Sequence, residues 1–247
     1  MRVVFLGLAL AVLGPAAYFG LTWLTALPRG LVENPWPFEA LSILGFVIAA
    51  FGSISALRAH RRAKRSMAVT LVTVVGLVGM LGYIHWLSSR LPDPPPAFAT
   101  GAVPPALDLP AIDGTRVSLD SLRGKKTVLV FFRGSWCGFC RTELAALARE
   151  IGPIREAGAD VVAISSSSLE KSKDLSQELG LPFRLASDPE LVAITAWDLL
   201  DPMVGTYARP ATILLGTDGR IHASWFPDDW RVRVPPADIA AAARATP

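Results

Sequence analysis

Thr127-Val128-Leu129-Val130-Phe131-Phe132-Arg133-Gly134-Ser135-Trp136-Cys137-Gly138-Phe139-Cys140 specifies a strand, a turn and the first turn of a helix in one short run. The apolar segment 127–132 has the β-branched and aromatic content of a buried strand. Arg133-Gly134-Ser135 breaks it. A helix is predicted to start at Cys137 and to continue through Glu143-Leu144-Ala145-Ala146-Leu147-Ala148. Both cysteines of the chain lie here. Two thiols separated by two residues can close a small ring within one helical turn. A thiol at a helix N-terminus also sits at the positive end of the helix dipole, which stabilises its thiolate.

That spacing in that context predicts thiol–disulfide chemistry, with Cys137 the attacking thiolate and Cys140 the second thiol that releases the product. Arg133 would add positive potential beside Cys137 and lower its pKa. Trp136 would shield the Cys137–Cys140 pair and shape the surface met by a partner. A structural zinc site needs about four ligands, and the chain has no other cysteine to supply them. His60 and His85 fall in the N-terminal third, which leaves His222 alone in the rest. No metal and no cofactor is expected, and no His/Asp arrangement suits a cysteine hydrolase.

Working outward, the chain has 247 residues, 51% of them hydrophobic and only 18% charged, with a mean hydropathy of +0.41. This is too apolar for an ordinary soluble enzyme and points to membrane spans. Three apolar stretches, about residues 3–27, 40–57 and 67–87, each approach the ~20 residues that cross a bilayer. Between the second and third lies Arg58-Ala59-His60-Arg61-Arg62-Ala63-Lys64-Arg65. A basic run between apolar spans reads as a cytoplasmic loop rather than a nucleic-acid site. The third span then exits on the far side. Everything after Ser88 is expected outside the cytoplasm, on the periplasmic face of an inner or plasma membrane. The first stretch is read as an uncleaved span; as a signal peptide it would leave the same side for the rest.

Three divisions follow: a membrane region at 1–90, a proline-rich spacer at 91–105, and a redox domain at 106–247. In the last, short strands are expected around 107–112 and 116–118, joined at Asp113-Gly114. A second buried strand should cover 160–165 and an amphipathic helix 169–179, ended by Gly180. A short strand at 183–185 and a helix from Asp188-Pro189 to about Trp197 come next. A hairpin of 211–215 and 220–225 turns at Asp218-Gly219, and a terminal helix covers 236–244. Strands alternating with helices and closing in a hairpin describe an α/β domain with a mixed sheet.

The ordered blocks Leu122-Arg123-Gly124-Lys125, Val130 to Cys140, Val161-Val162-Ala163-Ile164-Ser165, Ser187-Asp188-Pro189 and Arg209-Pro210-Ala211-Thr212-Ile213 resemble thioredoxin-fold redoxins of the AhpC/TSA (peroxiredoxin-like) and TlpA-like group. Phe132-Arg133-Gly134-Ser135-Trp136-Cys137 is especially like a peroxiredoxin-like subgroup. The resemblance covers about 106–244 and implies a thioredoxin-like fold, a mixed central sheet flanked by helices, here preceded by about three transmembrane helices. It implies that Pro210 is cis and beside the cysteines, that Cys137 caps its helix and is more exposed, and that Cys140 is more buried. Phe131 stands where thioredoxins keep a buried acid. Glu143 is a substitute one turn past Cys140, although solvent is its expected environment. The threonine and upstream proline of typical peroxiredoxins are replaced by Gly134 and Val130. Arg209 would stabilise a peroxide or thiolate.

The resulting expectation is a membrane-anchored, extracytoplasmic thiol–disulfide oxidoreductase that acts on protein thiols and disulfides. The spans contain no cysteine, so a separate membrane or soluble redox partner is implied. A thiol peroxidase with antioxidant activity and peroxide as substrate is the alternative. A copper-delivery module using His222 or Met203 is a third.

Overall fold

The computed structural model describes residues 2–58, 63–87 and 91–247. The chain divides into two compact units, Met1–Arg90 and Leu91–Pro247.

The first unit is helical: α1 (Arg2–Trp23), a short α2 (Arg29–Glu33), α3 (Trp36–Arg58), α4 (Ala63–Gly82) and a π-helical turn at Tyr83–Leu87. Small residues set the contact of α1 with α3. A Cβ on Gly7 would run into the backbone of Ala49 and Gly45, and one on Gly45 into the backbone of Ala11 and Gly7. Close backbone approach through small residues is the way helices associate where apolar burial offers no gain. The Tyr18 hydroxyl donates to the Val32 carbonyl at 2.7 Å and ties α1 to α2.

Three spans are expected from the sequence, and the described helices supply two of sufficient length and apolarity, Arg2–Trp23 and Trp36–Ser55. The third, Met67–Gly82, is shorter, since the apolar part of α4 begins only at Met67, after Lys64 and Arg65. The basic run falls partly at 59–62, outside the described residues.

The second unit opens with a 3-10 turn at Pro96–Phe98, then β1 (Asp108–Pro110), β2 (Arg116–Ser118), α5 (Leu119–Leu122), β3 (Lys126–Phe131), α6 (Gly138–Arg149), α7 (Ile151–Glu156) and β4 (Ala159–Ser165). It continues with α8 (Leu169–Leu179), β5 (Arg184–Ser187), α9 (Val192–Ala196), β6 (Ala211–Leu215), β7 (Ile221–Trp225) and α10 (Pro236–Ala245). The main sheet has the order β5-β4-β3-β6-β7, parallel from β5 to β3 and antiparallel from β3 to β7. This is a thioredoxin-like fold. The central strand β3 is buried from Thr127 onward, which explains its unbroken apolar run: a strand covered on both faces has no polar side to present.

Two expectations are corrected here. Residues 91–105 are not a free spacer. Phe98 is buried against Trp197 and Phe226, with ring centroids 5.9 and 5.0 Å apart. Gly101 and Ala102 exchange backbone hydrogen bonds with Ile221 of β7. The helix expected from Asp188 begins at Val192 instead, because the Asp188 carboxylate accepts from the Val192 and Ile194 amides at 2.9 and 2.8 Å from outside the helix.

Candidate active site

β3 ends at the centre of the sheet and delivers the chain to the N-terminus of α6, where Cys137 occupies the cap position and Cys140 the first turn. Both are free thiols, with sulfurs 2.8 Å apart. Cys140 is fully buried, as the fold implies, but Cys137 is also buried, at 3% exposure. Cys137 is thus the more exposed of the two by a narrow margin, and neither cysteine lies at the surface. Trp136, half exposed, stands edge-on to Tyr207 at 5.2 Å.

The two sulfurs are electrostatically unequal. Cys137 is lowered to about 7, first by the hydrogen bond donated by Cys140 and then by the charges of Arg233 and Arg133, against the opposing effect of burial. Burial pushes Cys140 far up, and its hydrogen bond to Cys137 and the neighbouring sulfur's charge add to the rise. Of the two, Cys137 is the thiol that ionises first.

Arg133 follows β3 and is caged by aromatic rings. Its guanidinium carbon lies 4.7 Å from the Tyr207 ring, 4.8 Å from Trp230 and 5.6 Å from Trp136. It donates to the Tyr207 hydroxyl at 2.7 Å and approaches Asp201 at 3.6 Å. Burial opposes its charge, and the Cys137 sulfur, Tyr207 and the Cys140 sulfur outweigh burial.

The sequence pointed past one arginine and toward another. Arg233 donates through Nε to Glu143 Oε2 at 2.7 Å, and its terminal nitrogen lies 3.8 Å from Cys140 Sγ. Glu143 is buried, which corrects its expected solvent exposure. The signal that could have found the pair is an acid one turn past Cys140 on the same helix face. Its partner lies 90 residues away, beyond the reach of local pattern. A cavity of 480 Å³ is lined by both members of the pair together with Pro210, Thr212 and Phe226.

Arg209 does not face the sulfurs. Its guanidinium donates to the carbonyls of Pro92 and Asp93 at 2.7 and 3.3 Å and lies over Phe226 at 5.2 Å. Burial lowers its pKa, opposed by Asp198, Asp201 and Asp93. The Arg209–Pro210 peptide is trans, which corrects the implied cis geometry. Pro210 directly precedes β6. Phe131 packs on Trp197 at 5.1 Å, so its position is a hydrophobic core site, hostile to an unpaired acid.

The missing threonine has a steric explanation. A Cβ on Gly134 would stand 2.7 Å from Trp136 Nε1 and 3.2 Å from Ser167 Oγ. Ser167 Oγ in turn accepts from the Ser135 amide at 3.0 Å, fixing the turn ahead of Cys137.

His222 does not join the thiols. It lies in β7 opposite the stretch of β6 around Leu214 and Leu215, and Leu215 pairs with Thr127 at the start of β3. The cysteines follow the other end of β3. His222 bonds Asp218 at 3.2 Å instead. Met203 sits in a loop held by the Asp201 carboxylate. Among the described residues no group of three or more His, Cys, Asp or Glu could hold a metal.

The AhpC/TSA family model matches residues 100–224, half of the chain. A provisionally named peroxiredoxin of Mycobacterium tuberculosis is 34% identical over 93 residues, 38% of this chain and 59% of its own length. The chloroplastic peroxiredoxin Q of Sedum lineare is 30% identical over 122 residues, 49% of this chain and 66% of its own length. The chain thus spans less than two thirds of the length of these relatives. Among solved structures, the peroxidoxin BcpB of Mycobacterium tuberculosis superposes with a TM-score of 0.53 at 20% identity, covering 59% of this chain and 96% of that one. A cysteine-to-serine mutant of Xanthomonas campestris peroxiredoxin Q gives 0.50 at 25% identity, covering 56% and 90%.

Proposed function

The chain belongs to the AhpC/TSA family, and from that premise we propose that it is a thiol peroxidase whose two cysteines act in sequence. The Cys137 thiolate attacks the distal oxygen of a hydroperoxide. The O–O bond breaks, the alcohol or water leaves with a proton, and Cys137 becomes a sulfenic acid. Cys140 then attacks the Cys137 sulfur, the S–O bond breaks, and water leaves as the disulfide closes. A dithiol donor returns both cysteines to thiols by exchange.

One observation carries the choice of peroxide over a protein disulfide as oxidant. The Cys137 sulfur is a stabilised thiolate that is only 3% exposed. A small hydroperoxide can reach such a sulfur with little movement, whereas in-line attack on a protein disulfide needs the sulfur at the surface. The order of the two sequence readings is therefore reversed. Disulfide exchange becomes the step that regenerates the enzyme, and its partner is a separate protein. Turnover of hydrogen peroxide by the full chain with dithiothreitol as donor tests this. Cys137→Ser should abolish it, and Cys140→Ser, given peroxide with no thiol donor present, should stop after one oxidation per chain. Full turnover by Cys137→Ser would exclude the assignment.

The membrane part of the reading is that the first unit anchors the enzyme in a bilayer. Small-residue contacts of α1 with α3 and the length of both helices support it. Counting the π turn, the helical path after the basic run continues to Leu87, long enough for a third crossing. With the basic run in the cytoplasm, that crossing puts the peroxidase domain outside.

A further inference from the structure

We infer that Arg233 is a positioning residue for the second thiol: its buried guanidinium holds Cys140 ready to give up its proton when the ring closes. The inference rests on the peroxidase reading and concerns its second step. Arg233 lies beyond the matched family region, in the segment between β7 and α10.

The geometry is built rather than incidental. Arg233 Nη1 donates to the carbonyls of Trp230 and Val232, both at 2.6 Å, and Nε donates to Glu143 Oε2 at 2.7 Å. These bonds leave Nη2 aimed at Cys140 Sγ, 3.8 Å away. A buried charge is costly unless its hydrogen-bonding groups are satisfied, and these bonds together fix where this charge sits. A guanidinium does not lose its proton in proteins. Arg233 therefore acts by charge and not as a base.

The step that needs this charge is the attack of Cys140 on the Cys137 sulfenic acid. Cys140 gives up its proton, the S–S bond forms, the S–O bond breaks, and the departing hydroxide and the proton leave as water. Burial alone disfavours a Cys140 thiolate, and the Arg233 charge opposes burial. Glu143 sets how much of that charge reaches the sulfur, since it shares the guanidinium. The 480 Å³ cavity lined by Glu143 and Arg233 gives water access to the pair.

The test uses the reduced full chain in detergent with one equivalent of hydrogen peroxide, following sulfenic acid by dimedone capture and disulfide by mass across a pH series. In Arg233→Gln, ring closure should slow by about tenfold or more near neutral pH, the effect of one pKa unit on a thiolate. Because the Arg233 charge also acts on Cys137, closure is timed from sulfenic acid already formed; its pH profile should move to higher pH, the sulfenic acid captured by dimedone should persist longer, and Arg233→Lys should recover most of the loss. Glu143→Gln frees the charge, so its profile should move the opposite way, to lower pH. A role limited to bracing the segment would slow both variants equally at every pH without rescue by lysine, and that result overturns the inference. Closure at the wild-type rate in Arg233→Gln overturns it too. If wild-type protein forms no sulfenic acid, the peroxidase reading fails separately. Ring closure from a Cys137–glutathione mixed disulfide, which breaks its S–S bond and releases glutathione, then reads the effect of Arg233 without peroxide.

Discussion

Cys140 Sγ lies 2.8 Å from Cys137 Sγ and donates its hydrogen bond to it, so one thiol of the pair lowers the pKa of the other. The inequality underlies the proposed roles, with Cys137 at the helix cap as the reactive thiolate and Cys140 as the thiol of the second step.

This arrangement sets the pH dependence of the first step. With the Cys137 pKa lowered from 9.0 to about 7, the thiolate fraction grows about tenfold per pH unit below that value and levels off above it. Stopped-flow oxidation of the reduced chain by hydrogen peroxide should show that rise and plateau. The same shift acts on stability. A pKa lower in the folded than in the unfolded state stabilises the reduced fold above the unfolded value, and the contribution is lost as pH falls through about 7. Cys137→Ser should therefore remove a stability gain seen between neutral and alkaline pH.

Gly134 stands where typical relatives are expected to carry threonine, and Trp136 fills the space a side chain there would need. Restoring the hydroxyl with Gly134→Thr should lower the peroxide rate rather than raise it, because the indole or the turn must move. Overpacking of this kind costs about 1–3 kcal/mol, which denaturant titration of the full chain in detergent will read beside the rate.

Asp188 holds the entry to α9 with both carboxylate oxygens. Asp188→Ala leaves the buried Ile194 amide without its acceptor, while the Val192 amide lies where water can replace the carboxylate. One such buried group costs about 1–3 kcal/mol. The variant should lose stability in that range, and Asp188→Asn, which retains one acceptor, should lose less.

On the proposed anchoring in a bilayer, the side on which the second unit lies follows from whether the helical path ending at Leu87 crosses. A reporter enzyme that is active only outside the cytoplasm, fused at the C-terminus, should be active. Replacing Arg58, Arg61, Arg62, Lys64 and Arg65 with glutamine should weaken that orientation.

The sheet of the second unit was legible in the sequence because its signals are local. The run 127–132 covers β3, Gly180 ends α8 in the left-handed conformation with φ +59°, and Asp218-Gly219 turns the β6–β7 hairpin. The cysteine pair was legible for the same reason. The environment of the pair was not, since it comes from far along the chain. Tyr207 and Trp230 cage Arg133, and Arg233 reaches Cys140 across 93 residues. Nothing in the spacing around Arg233 marks it as a site residue. Arg209 shows the converse: a motif position whose side chain is drawn to the Pro92 and Asp93 carbonyls instead. The proline-rich stretch misled because its composition signals a spacer, while the Phe98 ring and the backbone bonds of Gly101 and Ala102 to Ile221 dock it onto the core.

The most direct measurement is the rate at which the reduced full chain forms the Cys137–Cys140 disulfide with hydrogen peroxide, set against its rate with oxidised glutathione at pH 7. A peroxidase predicts that peroxide is much the faster oxidant, reacts well above the rate of free cysteine, and yields one disulfide per peroxide consumed. Peroxide reacting no faster than free cysteine, with glutathione disulfide the preferred oxidant, would contradict the account and return the chain to the class of disulfide exchangers.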